Sequence, residues 1–265
     1  MYNYILFDLD GTVSDTGEGI YNGVKYALEK YGITENYETT LNGFIGPPLV
    51  DSFMKYYSFS QEKALQAVEY YREFYKSKGI YQNTLYEGIS NLIKTLKQQG
   101  KTVILATSKP QFFAEIILKQ YDLLKYFDCV VGATFDGALN YKSDIIRVAL
   151  EQSGVTDKTS AIMIGDRHYD IEGAKQIGID CIGVLYGYGD LDELKNAGAD
   201  YIAETAEEIF KIINEKRLFY YYIVLIYCFR MEEFYEKTYY NWKTIRKWRF
   251  RDRKSIGRKI GNKML

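Results

Sequence analysis

The run Tyr4-Ile5-Leu6-Phe7-Asp8-Leu9-Asp10-Gly11-Thr12 decides the fold. Its opening apolar residues stop abruptly at two acids and a glycine. An apolar run this short, closed by a turn signal, predicts a strand buried on both faces that hands its last residues to a loop at its carboxyl edge. The same pattern recurs outward from it. Thr102-Val103-Ile104-Leu105-Ala106 runs into Thr107-Ser108-Lys109-Pro110, and residues 128–132 are another apolar stretch. Ala161-Ile162-Met163-Ile164 runs into Gly165-Asp166, and residues 180–184 close the series. Helical spacing fills the gaps over 89–96, 111–120, 143–152, 171–177 and 205–214. Strands alternating with helices predict an α/β fold, a three-layer parallel-sheet core with helices on both faces.

Residues 15–83 break the alternation. Ile20, Val24, Ala27, Leu28 and Tyr31 lie close to one helical face, Gly43, Gly46, Pro47 and Pro48 interrupt, and helical spacing resumes over 61–76. That predicts an all-helical cap inserted after the first strand, with hinges near 14–17 and 80–87. The expected organisation is 1–14 with 84–214 as catalytic core, 15–83 as cap, and 215–265 as a C-terminal extension. The grouped Tyr56, Tyr57, Tyr70, Tyr71 and Tyr75 are expected mostly to pack, with a few left to line an aromatic pocket.

The extension stands apart in composition. The formal net charge of −1 over 265 residues is a cancellation. Residues 1–215 hold 20 Lys+Arg against 31 Asp+Glu, whereas residues 216–265 hold 14 against 4, together with Trp242 and Trp248. The apolar run 218–229 is shorter than a helical bilayer span requires. Its basic, aromatic sequel suits an anionic membrane surface or a partner. No nucleic-acid module surrounds it, and nucleic acid is not expected. A hydrophobic share of 47% with 26% charged residues excludes a disordered tail and a membrane channel. Cys129, Cys181 and Cys228 are too far apart for a metal knuckle, and Cys129 and Cys181 are expected to be buried in strands. No leader pattern opens the sequence, so a cytoplasmic monomer or homodimer is expected.

In an open parallel sheet, reactive groups gather beyond the carboxyl ends of the strands. Asp8 and Asp10, Thr107 and Ser108, Lys142, and Asp166 with Asp170 all fall there. Such a group of acids repels itself and pays for desolvation unless a cation neutralises it, and all-oxygen ligands suit Mg²⁺. Asp8 is placed to attack phosphorus, and Asp10 to protonate the leaving oxygen and then deprotonate water. Gly11 lets the loop turn back. Thr107 or Ser108, with amides at the next helix start, would grip phosphoryl oxygens, and Thr107 doubles as an N-cap for helix 111–120. Lys142 would offset the charge.

In order, Asp8-Leu9-Asp10-Gly11-Thr12-Val13, Thr107-Ser108-Lys109, Lys142 and Gly165-Asp166-Arg167-His168-Tyr169-Asp170 resemble the four motifs of haloacid dehalogenase-like hydrolases. The resemblance covers residues 1–214 and implies a core with a helical cap. It implies Asp8 as phosphorylated nucleophile and Asp10 as acid/base. It also implies Mg²⁺ held by the Asp8 carboxylate, the Asp10 main-chain carbonyl and Asp166. Asp170 would support the metal's waters or orient Lys142, and Thr107 and Lys142 would brace the phosphoryl group. Asp15-Thr16-Gly17-Glu18-Gly19-Ile20, Ile45-Gly46-Pro47-Pro48-Leu49 and Gly173-Ala174 are similar to the phosphoglycolate phosphatase-like branch. The implied activity is hydrolysis of a small phosphate ester, phosphoglycolate first. A 5'-nucleotidase, a pyrophosphatase, a phosphomutase and a non-catalytic phosphate-binding protein remain as alternatives. His168, the single histidine, is read as no metal ligand, and Arg167 as the partner of a nearby carboxylate.

Overall fold

The computed structural model describes residues 2–34 and 41–214. The chain begins with β1 (Tyr4–Phe7) and β2 (Ser14–Asp15), then the helices α1 (Gly17–Glu29), α2 (Leu49–Tyr57) and α3 (Gln61–Ser77). It returns through β3 (Thr84–Leu85) to α4 (Ile89–Gln98), β4 (Thr102–Pro110), α5 (Gln111–Gln120) and β5 (Cys129–Ala133). Then follow α6 (Lys142–Gln152), β6 (Ala161–Gly165), α7 (His168–Ile177), β7 (Asp180–Val184), α8 (Leu191–Asn196) and β8 (Tyr201–Ala203). A helix over 206–214 ends the described residues. The expected extension, 215–265, lies outside them.

Six strands form one sheet in the order β5-β4-β1-β6-β7-β8, parallel throughout, with β1 between β4 and β6. The two-residue period of β1 decides which side chain meets which layer. Leu6 packs with Ile104 and Met163 against Ile145 and Ile146 of α6 and Ile171 of α7. Ile5 and Phe7 face the other way, among Leu92 and Ile93 of α4 and Phe113 and Ile117 of α5. All three are fully buried, and truncating any one to alanine costs roughly 2–5 kcal/mol. The α/β layering and the inserted helical cap are therefore as the sequence predicts.

The cap, α1 to α3, leaves and rejoins the core through the antiparallel pair β2–β3, Ser14 opposite Leu85 and Asp15 opposite Thr84. Its core is aromatic: Phe44 meets Phe53 edge-on at 5.0 Å and Tyr71 stacks on Tyr75 at 5.2 Å. Tyr71 and Tyr75 are buried, while Tyr56 is exposed.

Three local expectations need correction. The strand β4 runs on to Pro110, and its register with β5 shifts between Thr107 and Pro110. Thr107 is therefore inside the strand and does not cap α5; Pro110 precedes that helix without a side-chain cap. The helix α7 begins at His168 rather than 171, because the Asp170 carboxylate accepts from the Arg167 amide at 3.2 Å and closes the first turn early. Cys129 is only half-buried at the sheet edge, unlike Cys181. No described helix is long and apolar enough to cross a membrane.

Candidate active site

Register assembles the site. Phe7 pairs with Leu105 on one side and Ile164 on the other, so the three residues stand in one row across the strands. The residues that follow, Asp8, Ala106-Thr107 and Gly165-Asp166, emerge side by side. The Asp8 amide donates to the Ile164 carbonyl at 2.9 Å, which carries the central strand's pairing one residue further. The chain then doubles back at Gly11, whose φ is +85°. A Cβ there would stand 2.0 Å from Asp166 Oδ2. Glycine is required twice over, for the left-handed backbone and for the close approach to that carboxylate.

Lys142, the first residue of α6, enters from the side. Its Nζ lies 2.7 Å from Asp8 Oδ1 and 2.8 Å from Asp170 Oδ1, and it donates to the Ala106 carbonyl at 3.2 Å. Asp8, Asp166 and Asp170 are buried, and each offers one oxygen within 4.8 Å of the others. Burial pushes the Asp8 carboxyl up to about 6; the Lys142 ammonium opposes this, and the charges of Asp170 and Asp10 add to it. Asp166 is raised well above the usual carboxylate range, first by burial and then by Asp170 and Asp8. For Lys142, burial disfavours the ammonium, but the Asp170 and Asp8 carboxylates outweigh it and raise its pKa. Three buried acids against one cation leave a negative excess, and their oxygen-only donor set fits a hard divalent cation such as Mg²⁺. Asp166 is held for that purpose by the Tyr188 amide, which donates to Oδ2 at 2.8 Å, and by the Thr12 hydroxyl at 3.4 Å from Oδ1.

The Asp10 carboxylate turns away from this cluster. Lys109 Nζ donates to both its oxygens at 2.9 Å, and the Thr16 hydroxyl donates to Oδ1 at 2.7 Å. Lys109 is buried and stands 4.9 Å from the centre of the Tyr75 ring. Thr107 Oγ1 accepts from the Lys109 amide at 3.2 Å, so the bulge in β4 places Thr107, Ser108 and Lys109 around one turn.

Sequence reasoning gave Lys109 no role, although its position directly after Thr107-Ser108 was the available signal. Tyr188 carried no signal. Its hydroxyl accepts from the Thr16 and Gly17 amides at 3.1 and 2.7 Å and donates to Asp15 Oδ1 at 2.5 Å, tying the core to the cap hinge. Arg167 pairs with Glu193 at 2.8 Å. His168 Nδ1 lies 2.7 Å from the same carboxylate, and the residue is outside the acidic cluster.

Between cap and core lies a cavity of about 420 Å³. Asp8, Asp10, Thr107 and Ser108 line it together with the aromatic residues Phe44, Tyr71, Tyr75, Phe113 and Phe135. A neighbouring cavity of about 280 Å³ shares Gly46-Pro47-Pro48 and Ser108 with it and includes Lys142 and His168.

Comparison with known proteins agrees with this geometry. Residues 5–184 match the family model of haloacid dehalogenase-like hydrolases. The chain is 42% identical over 206 residues to a 5'-nucleotidase of Pseudomonas aeruginosa, which covers 77% of this chain and 93% of that protein. It is 31% identical over 214 residues to the pyrophosphatase PpaX of Bacillus velezensis, covering 80% and 96%. Among solved structures, that of a predicted phosphatase from Clostridium acetobutylicum superposes with a TM-score of 0.78 at 48% identity, covering 81% of this chain and 99% of the other. The phosphoglycolate phosphatases are thus one branch among several that this chain resembles. With four matching motifs, a parallel core bearing an inserted helical cap and a buried carboxylate cluster at its strand ends, the chain belongs to the haloacid dehalogenase-like hydrolases and is an enzyme of phosphatase type.

Proposed function

We propose that the protein is a Mg²⁺-dependent phosphatase that hydrolyses nucleoside 5'-monophosphates through an aspartyl-phosphate on Asp8. The observation that carries this reading is the cavity. At about 420 Å³ it far exceeds what a two-carbon ester fills, and its walls are aromatic. Its two lining cations are already paired, Arg72 with Glu69 at 2.6 Å and Lys109 with Asp10 at 2.9 Å. Glu69 and Asp136 add further negative charge to the lining, which disfavours the second acid group of phosphoglycolate. A ribose and base need apolar faces and hydrogen-bonding edges instead. The 5'-nucleotidase relative supports the same reading. The nucleotidase alternative therefore displaces phosphoglycolate as the preferred substrate.

Mg²⁺ would be held by the Asp8 and Asp166 carboxylates and the Asp10 main-chain carbonyl, with Asp170 supporting, and would neutralise charge on the phosphoryl oxygens. Asp8 attacks phosphorus as the ester P–O bond breaks. Asp10 gives its proton to the departing 5'-oxygen, then takes one from the water that releases phosphate from Asp8. Thr107 Oγ1, Ser108 and the Gly11 turn hold the phosphoryl oxygens, and Lys142 balances Asp8. The cap, 15–83, closes over the substrate about the β2–β3 hinge.

A substrate panel with Mg²⁺ tests the proposal, using the four common nucleoside monophosphates, phosphoglycolate, pyrophosphate and sugar phosphates. At least one nucleotide should exceed phosphoglycolate and pyrophosphate by roughly tenfold or more in kcat/KM, or about 1.4 kcal/mol. Preference for phosphoglycolate or pyrophosphate would overturn it.

A further inference from the structure

Phe135 belongs to none of the motifs, yet it is built with care. It sits in the tight loop that follows β5 in the core, not in the cap. The loop is closed by the Thr134 amide donating to the Leu139 carbonyl at 2.9 Å and by the Leu139 amide donating to Thr134 Oγ1 at 3.0 Å. The Asp136 carboxylate accepts from the Ala138 amide at 3.0 Å, and Gly137 takes a φ of +77°. These bonds hold the loop backbone, and the ring lines the cavity while 45% exposed. Phe113 lies 5.5 Å away at 90° and Phe112 6.5 Å away at 53°, so neither ring stacks in parallel on Phe135.

Across the mouth, α3 of the cap presents Arg72. Its guanidinium lies 5.1 Å from the Phe135 ring centre, and its Nη2 donates to the Phe135 carbonyl at 3.5 Å. Glu69 holds the same guanidinium at 2.6 Å. A planar cation over an exposed aromatic ring forms a surface for a flat π-system. Base–aromatic stacking and arginine–base stacking both use such surfaces, and neither requires a particular base. The carboxylates of Asp8 and Asp10 line the same cavity.

We infer that Phe135 and Arg72 form the stacking platform for the nucleobase, so that a core loop and a cap helix jointly select esters bearing a flat aromatic group. This rests on the nucleotide reading above. The platform acts on binding and leaves the chemical step alone, because neither residue touches Asp8, Asp10 or Lys142.

The experiment compares wild type, Phe135→Ala, Phe135→Leu and Phe135→Tyr in the full chain with Mg²⁺, with thermal unfolding as a check on folding. Kinetics are measured on nucleoside monophosphates and on glycerol 3-phosphate, and adenosine and guanosine are tested as inhibitors of glycerol 3-phosphate turnover. Loss of the ring should raise KM for nucleotides roughly 5- to 150-fold. The same variants should shift KM for glycerol 3-phosphate at least about fivefold less than KM for nucleotides and act on KM rather than kcat, since no stacked group is lost there. Tyrosine should restore the nucleotide KM, and leucine should not. Equal KM changes for both ester types, or none, would overturn the platform while wild-type nucleotide turnover still upholds the nucleotidase reading. Failure of the wild type to prefer nucleotides would remove that reading. The platform would then survive only if nucleosides inhibit and Phe135→Ala weakens that inhibition roughly 5-fold or more; absence of inhibition overturns both.

Discussion

Asp8, Thr107 and Asp166 stand on three adjacent strands whose register sets them in one row, whereas Phe44, Tyr71, Phe113 and Phe135 reach the same cavity from a cap loop, a cap helix, a core helix and a turn. Thr107 lies within β4, and Asp8 and Asp166 directly follow β1 and β6, so the geometry of the first group follows from strand pairing. The second depends on how separately folded helices meet. The phosphate end therefore tolerates little change, while the organic end can vary its side chains without disturbing the sheet. A 5'-nucleotidase and a pyrophosphatase, relatives of different activity, both match this chain over most of its described length.

Substitution at the phosphate end should affect all substrates alike. Asp8→Asn removes the proposed nucleophile and should lower kcat roughly 10⁴-fold or more on every ester, with the fold retained in far-UV circular dichroism. A substrate-selective loss in that variant would break the contrast between the two ends. Chelation of divalent metal should have the same uniform effect, reversed by Mg²⁺.

Lys109→Met tests whether the contrast has a sharp border, because Lys109 touches Asp10 at one end and Tyr75 at the other. The pair is 4% and 12% exposed by side chain. Leaving Asp10 without its buried partner should cost roughly 3–5 kcal/mol in denaturant unfolding. A loss under about 1 kcal/mol would mark the pair as an ordinary surface contact.

The acidic cluster should also give the metal-free protein an inverted pH dependence. Asp8 sits at about 6 in the fold, against about 3.9 for an unperturbed aspartate. The folded state thus holds its proton to higher pH than the unfolded chain. Its contribution to stability is fully present below about pH 4 and is lost as pH rises through 6, by roughly 3 kcal/mol in all. Asp166 shifts in the same direction. Melting curves without metal should show lower stability from this cluster at pH 7.5 than at pH 5, with Mg²⁺ recovering it at pH 7.5. An Asp8→Asn variant that keeps the full wild-type pH dependence would refute the assignment.

The smallest effect is expected at the hinge. Tyr188→Phe removes the hydroxyl that joins Asp15, Thr16 and Gly17 to the core, at a cost of about 1–3 kcal/mol. Because Tyr188 serves the cap rather than either end of the substrate, kcat/KM should fall by a similar factor for compact and nucleotide esters. A change confined to nucleotides would instead place it in the organic end.

The same division separates what the sequence by itself determined from what only the tertiary structure decided. Three apolar runs leading to Asp8, Thr107 and Asp166 specify a parallel sheet and the edge where polar groups gather, because strand period and burial are local properties that a short run displays. Gly11 was legible for the same reason, since a sharp return after a strand needs a residue tolerant of positive φ. The interrupted helical spacing of 15–83, with no strand pattern among it, likewise announced the cap. Side-chain partners across long separations were not legible. Asp10 with Lys109, Tyr188 with the hinge, and Arg72 with Phe135 lie 99, 171 to 173 and 63 residues apart, and nothing in the spacing of the chain pairs them. Even the extent of β4 past Ala106 was set by pairing with β5, not by its own polar residues. Local sequence fixes which groups can do the chemistry; only folding decides which of them meet, because contact energies are exchanged between segments that sequence distance does not order.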